Sequence, residues 1–500
     1  PSPPSRPSGQ TGAVAMTPVR LDSVVAFLSE LDRRGVRYAH WKSNEHLEDA
    51  LRGETDLDLL VDPGDRDLFE SVVREFGFAR MTLPRAKTFP GRDGFLGFDP
   101  TSGSLAQLDV HYRLVLGEQL VKNHHLPIEE WLLEDTRVLH GVRVPDAARE
   151  TIVFYLRVSF KSTLRQRLYA ALGRAEFPPA NIRREARWLA SNVQPQDLSS
   201  AMEGLDLPVS EEEVLDFHRR IATDALDWRF VGRAKRSLMR RLRRYQRRPT
   251  VVAWMLKGAL RVRSSRPGRR LGLGIPPKRL TPRAPFIAVV GADGSGKSRL
   301  TTDLAKWLRW KLSVRHLYLG QPKSGFVFKL LNKPGSLLRN MEEAKRGSAD
   351  GLERLAAVTD ALKWVYLANK RKRLVAEGLR AADRGEVVIA ERFPLPEFSS
   401  MPVPMDGPRL GGSGSPLEPW EARQYAAIPR PDLILVLAAD LATLRERKDD
   451  LPIDDHRSKA DAVLAIEPGP GVHVIDATQP YPEVLLEAKR RIWEEIVATR

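Results

Sequence analysis

Apolar residues recur at helical spacing in "LDSVVAFLSELDRRG", which predicts a helix beginning near Leu21 and ending at Gly35. "VRYAHWKS" then reads as a strand, and "NEHLEDALRG" as a short helix capped by Asn44 and stopped by Gly53. "TDLDLLV" reads as a strand and "PGDRDLFESVVREFG" as a helix with Pro63 near its start. "SLAQLDVHYRL" (104–114) alternates as a half-buried strand does. Residues 17–145 are therefore expected to form a small mixed α/β domain. From "PDAARETIVFYLRVSF" to about residue 248 the period is helical almost throughout, broken at "FPPAN" and "GLDLPVS"; this predicts a helical domain over 146–265. "RPGRRLGLGIPPKRLTPRAP" has the composition of a linker, placed at 266–284. Over 285–500 the strand patterns "FIAVVG", "VRHLYLG", "EVVIAERF", "PDLILVLAA" and "VHVIDA" alternate with helical stretches, which argues a parallel, doubly wound sheet covered on both faces. The expected class is multidomain α/β.

The absence of cysteine excludes disulfides and thiolate metal sites, so any metal would be held by oxygen or imidazole. The opening "PSPPSRPSGQTGAVAM" (1–16) reads as a flexible tail and not as a signal peptide. No stretch approaches the roughly 18 apolar residues of a membrane span. The expectation is a cytoplasmic protein, soluble or peripheral to the inner face of a membrane. The net charge of +16 is local: between Arg229 and Arg283 stand nineteen Lys and Arg and no acid, and outside that segment 61 basic residues face 64 acidic ones.

The plainest chemistry lies in "FIAVVGADGSGKSRLTTDLAKWL". Gly291, Gly294, Ser295, Gly296, Lys297 and Ser298 have the spacing of a phosphate-binding loop between a strand and a helix. Backbone N–H groups in such a loop surround phosphate oxygens, and glycine is required because a Cβ would obstruct the approach. Lys297 would reach the β- and γ-phosphates of a nucleoside triphosphate, and Ser298 would ligate Mg²⁺. ATP and Mg²⁺ are thus the expected cofactors.

Nearly all of 285–500 resembles the thymidylate kinase family of P-loop kinases. Asp293 stands where that family often has an acid, and Glu391, Arg392 and Phe393 of "VVIAERF" occupy the places of its Asp-Arg-Tyr. The resemblance implies that Arg392 holds the acceptor or its phosphate, and that Arg445, Arg447 and Lys448 in "DLATLRERK" screen charge as lid residues, for which a solvated helix face is an equal reading. Asp293 or Glu391 would accept a proton from an alcohol acceptor. Two departures bear on the acceptor. "GQP" (320–322) replaces the family's Arg-Glu-Pro, and a Pro- and Gly-rich insertion occupies 393–416. Phosphoryl transfer is better supported than thymidylate as acceptor, which leaves a nucleotide, a sugar or a sugar phosphate. This version is similar to kinase-like proteins associated with surface polysaccharide metabolism.

In "GETDLDLLVD", Asp56 and Asp58 are two residues apart on a strand, which aims both carboxylates at one face. They either hold a metal or form the wet side of an ordinary strand. "WKSN", a helix, the Asp-x-Asp strand and Asp109 on a later strand together resemble the nucleotidyltransferase superfold. The resemblance implies that Asp56, Asp58 and Asp109 bind Mg²⁺ and that Lys42 and Ser43 contact a triphosphate. Lys42 replaces the expected glycine of the glycine-serine turn. His111 reads as a packing or surface residue.

The basic segment 229–283 has three readings: a solvated helix packed against the kinase, an amphipathic helix on an anionic membrane surface, or a nucleic-acid contact. Few stacking aromatics accompany it, which argues against nucleic acid. The chain is expected to be an ATP- and Mg²⁺-dependent phosphotransferase fused to a nucleotidyltransferase-like domain, acting on a small-molecule or glycan acceptor and compatible with a dimer. The competing expectations are a nucleotide-regulated binding protein and a nucleic-acid processing enzyme.

Overall fold

A computed structural model describes residues 19–83, 88–118, 120–267, 278–321, 349–395, 406–448 and 452–499. The expected tail 1–16, most of the linker, Pro322 and much of the 393–416 insertion lie outside these. The chain divides into two compact units, Pro1–Lys278 and Arg279–Arg500.

In the first unit helix α1 (Asp22–Arg33) buries Val24, Phe27, Leu28 and Leu31, one stripe at 3.6-residue spacing. Strands β1 (Tyr38–His40), β2 (Leu57–Val61), β3 (Ala79–Thr82), β4 (Arg92–Asp99) and β5 (Ser104–His111) form a mixed sheet in the order β1-β2-β5-β4-β3. The β2–β5 pair is parallel with Asp58 opposite Asp109, while β1–β2, β4–β5 and β3–β4 are antiparallel. The expected Asn44-capped helix begins as a 3-10 turn, Asn44–His46, before Leu47–Leu51. Asn44 is buried, with Oδ1 against His40 Nδ1 at 2.5 Å, so its side chain serves the interior and not the helix end.

Hairpins β6 (Val115–Glu118)/β7 (Val121–His125) and β8 (Thr136–Leu139)/β9 (Val142–Pro145) follow. The helix Ala147–Lys161 is capped by Asp146, which accepts from the N–H groups of Ala148 and Arg149, and is buried on nearly every side. A helix apolar all round needs cover all round. One continuous core therefore joins Ala39, Trp41, Leu60 and Leu114 to Phe154, Leu189, Phe217 and Leu238. The boundary expected at 145/146 is not a boundary of packing.

The basic segment, for which a solvated helix was one reading, is in part core of the first unit. The helix Trp228–Arg241 buries Phe230, Val231, Ala234 and Leu238 in this same core. Ahead of the helix Thr250–Ser264, the Arg247 N–H donates to the Asn123 carbonyl at 2.8 Å, and Asn123 Nδ2 donates to the Arg248 carbonyl at 2.9 Å. Lys235 and Lys257 both pair with Glu118. Val251, Trp254, Met255 and Val262 of that last helix are exposed.

In the second unit, after β10 (Arg279–Leu280), strands β11 (Phe286–Gly291), β12 (Val314–Tyr318), β13 (Val387–Glu391), β14 (Leu433–Ala438) and β15 (Val472–Asp476) form an all-parallel sheet in the order β12-β13-β11-β14-β15. The five strands are the ones the sequence predicts. Strands β11, β13 and β14 are buried at every residue, which accounts for their unbroken apolar runs.

Candidate functional site

Strand β11 runs through a glycine loop into the helix Lys297–Arg309. Gly294 and Gly296 take φ of +90° and +91°, where an L side chain is strained. A Cβ on Gly294 would also lie 2.8 Å from the Leu444 carbonyl oxygen. The sequence-predicted loop residues are thus contiguous around a turn that backbone alone can line.

Lys297 is buried and its Nζ donates to the Ala292 carbonyl at 2.6 Å. Burial pushes this ammonium down to about 8, with Asp293 opposing the shift. Strand β13 lies beside β11 with Glu391 opposite Val289, which brings the buried Glu391 carboxylate to the helix start. Ser298 Oγ donates to Glu391 Oε1 at 2.5 Å. A hydroxyl and a carboxylate so placed are the oxygen donors that a small divalent cation prefers.

The next residue, Arg392, has φ of +61°, unusual for a side chain of this size. Its Nη2 donates to Asp293 Oδ1 at 2.8 Å and its Nη1 to Asp406 Oδ2 at 3.4 Å. Lys459 Nζ donates to Asp293 Oδ2 at 3.0 Å. Burial opposes ionisation of Asp293, and the charges of Lys297 and Arg392 outweigh it, holding this carboxyl well below the usual range. A Cβ at Gly320 would lie 2.7 Å from Cδ of Arg392, so the residue standing in place of the family's arginine leaves room for this one.

Sequence reasoning missed Lys459, Asp406 and Arg371. Lys459 sits on the helix Ile453–Leu464, 166 residues from its partner, with no local motif to mark it. Arg371 is buried, donating to the Leu319 carbonyl and the Tyr425 hydroxyl at 2.6 Å each and to Asp406 at 3.4 Å. Of the expected lid residues, Arg445 is half-buried and Lys448 exposed, while Arg447 Nη1 donates to the Ala477 carbonyl at 2.9 Å.

In the first unit the structure redraws the expected carboxylate trio. Among the described residues, Asp58, Asp109 and His111 have ligand-type atoms within 4.8 Å of one another. Asp56 is outside this group and accepts from Gln107 Nε2 at 3.0 Å. Both remaining carboxylates face cations: Lys42 Nζ lies 2.7 Å from Asp58 Oδ1, and Arg92 forks Asp109 with two bonds of 2.6 Å. Burial pushes Asp58 up and Lys42 offsets this, whereas the His111 and Arg92 contacts overcome burial at Asp109 and hold it low. Burial keeps His111 down at about 4, hence neutral near pH 7. Lys42 and Arg92 thus stand on carboxylate oxygens that a divalent cation would also use.

Ser43, the residue after Lys42, takes the left-handed conformation (φ 60°). Its N–H donates to Glu185 Oε1 at 3.1 Å and its hydroxyl to Oε2 at 3.4 Å. Arg157 Nη1 also donates to Glu185, at 2.7 Å. Of the two residues expected to meet a triphosphate, Ser43 is thus held by the buried Glu185, which no motif announces, and Lys42 by Asp58.

The parallel sheet and its glycine loop define a nucleotide-binding unit of the P-loop type. YghR of Escherichia coli K12, an uncharacterized ATP-binding protein, is 32% identical over 219 residues, 41% of this chain and 86% of its own length. A thymidylate kinase of Xanthomonas campestris pv. campestris strain B100 is 32% identical over 216 residues, 42% of this chain and 83% of the kinase. YghS of E. coli K12, another uncharacterized ATP-binding protein, is 28% identical over 229 residues, 41% of this chain and 91% of its own length. No family model matches the chain. Over about two fifths of its length, the chain belongs to the thymidylate-kinase-like ATP-binding proteins.

Proposed function

We propose that the second unit is a phosphotransferase, moving the γ-phosphoryl group of ATP to a small acceptor that already carries negative charge. The observation that carries this reading is the chain of contacts from Lys459 through Asp293 to Arg392 beside the glycine loop. The loop N–H groups and Lys297 would hold the β- and γ-phosphates. Ser298 and Glu391 would hold Mg²⁺, which when bound neutralises phosphate charge during transfer. Arg392, fixed between Asp293 and Asp406, would orient the acceptor's anionic group.

The electrostatics bear on the acceptor. Asp293 is ionised far below neutral pH and is therefore a weak base. An acceptor phosphate arrives ionised and needs no base, whereas an alcohol does. A sugar phosphate or a nucleotide fits better than an unmodified sugar. Nucleotidyl transfer is not assigned to the first unit, where Lys42, Arg92 and Glu185 occupy the groups that such chemistry would use. Measuring ADP release with candidate acceptors tests the proposal. Turnover that rises with a phosphorylated acceptor supports it, and slow release indifferent to every acceptor points to a nucleotide-regulated switch.

A further inference from the structure

A cavity of about 600 Å³ lies within the first unit, walled by residues following β1, by β7, by the helix Ala147–Lys161 and by the basic helix Thr250–Ser264. Eight Lys and Arg side chains line it against a single carboxylate, Asp109. Acids face Lys42 (Asp58), Arg92 (Asp109) and Arg157 (Glu185). Among the described residues, neither Lys122 nor Lys161 has a carboxylate within ion-pair distance. Lys122 Nζ instead sits 5.0 Å over the Phe89 ring, and Arg247 Nη1 donates to the Lys122 carbonyl at 3.2 Å. Positive charge without counter-charge in a partly open cavity is costly unless an anion enters it.

The remaining wall is apolar, with Trp41, Phe89, Leu256 and Leu260 facing the same space. We propose that this cavity is a second anion site, separate from the glycine loop, that binds an organic phosphate or diphosphate. The charged group would lie among Lys122, Lys161 and Arg247, and the carbon skeleton against Trp41, Phe89 and Leu260. Burial and the neighbouring Lys42 and Arg92 push Lys122 down to about 7, consistent with a cation lacking its counter-charge. The basic segment thereby gains a role: Arg247, Arg248 and Arg263 are cavity walls. The ligand chemistry has two sources, a soluble phosphate ester or the headgroup of a lipid, since Trp254 and Met255 are exposed on the same helix as Leu256 and Leu260.

The test uses the full chain carrying Lys297→Ala, which disables the glycine loop, titrated with inorganic pyrophosphate by calorimetry. The same protein is floated with phosphatidylcholine vesicles with and without phosphatidate. One pyrophosphate bound per chain, weakened about tenfold or more by adding Lys122→Met, supports the site with a soluble ligand. Flotation with phosphatidate vesicles alone, lost on Lys122→Met, supports it with a headgroup ligand. Lys122→Arg keeps binding within about threefold in either arm, because the charge remains. Lys122→Met should also raise the melting temperature, since it removes a buried cation without a carboxylate partner; loss of binding with a higher Tm separates loss of ligand from failure to fold. Titration of the unaltered chain saturated with a non-hydrolysable ATP analogue repeats the measurement without the Lys297 change. No binding in either arm, or binding indifferent to Lys122→Met, overturns the proposal.

Discussion

Arg392 Nη2 donates to Asp293 Oδ1 at 2.8 Å, tying the residue after strand β13 to the acid inside the glycine loop. The bond spans 99 residues of sequence and places the proposed acceptor-binding group next to the nucleotide loop. Asp293→Asn keeps the shape but weakens both this bond and that of Lys459. Phosphoryl transfer should fall about 10- to 100-fold, with a higher acceptor KM, measured by steady-state kinetics.

The same carboxylate predicts an acid limb. Asp293 has a folded pKa below its unfolded value of about 3.9, so its contribution to stability is present above that value and is lost as pH falls through the folded pKa. Thermal melts below about pH 4 should therefore lose stability less steeply in Asp293→Asn than in the unaltered chain.

Lys297 gives the opposite sign. Its folded pKa, about 8, lies below the unfolded value of roughly 10.4. The unfolded chain binds the extra proton between these values, so stability without nucleotide rises with pH across that window. Phosphate favours the ammonium form, and ATP affinity should fall above about pH 8, by up to about tenfold per unit. Calorimetric titration from about pH 7 to 9.5 measures this; Lys297→Arg should flatten the profile, and a flat profile in the unaltered chain would count against the assignment.

Arg92 and Asp109 provide a stability test in the first unit. Arg92→Met leaves a buried carboxylate without its fork and should cost about 3–5 kcal/mol in denaturant unfolding. Combining it with Asp109→Leu should recover most of that loss, because no uncompensated charge remains. If these cations occupy the site, adding Mg²⁺ without nucleotide should not raise the Tm of the unaltered chain.

Much of the second unit was legible in sequence because its signals are local. Strands β11, β13 and β14 are continuous apolar runs, and the loop glycines fall within six consecutive residues. Lys459 and Asp406 were not legible, since each acts through a partner brought near by folding. In the first unit the strands were read correctly and Asp58 and Asp109 do come together, but the groups that face the acids were not legible. The alternation of Asp56 and Asp58 fixes a shared face, yet only the folded arrangement shows Lys42 on one carboxylate and Gln107 on the other. What covers the helical region was not legible for a related reason. A helix as apolar as Ala147–Lys161 has to be covered by something, and periodicity does not say that the sheet before it does so.

ATP-dependent phosphoryl transfer by the second unit is tested most directly by mass spectrometry. The full chain and its Lys297→Ala variant are incubated with ATP, Mg²⁺ and a panel of sugar phosphates, nucleoside monophosphates and sugars. The prediction is that one acceptor, bearing a phosphate, gains the mass of one phosphoryl group with the unaltered chain, and that Lys297→Ala reduces this rate by about 100-fold or more. A Lys297→Ala chain that phosphorylates the acceptor at the full rate would contradict it.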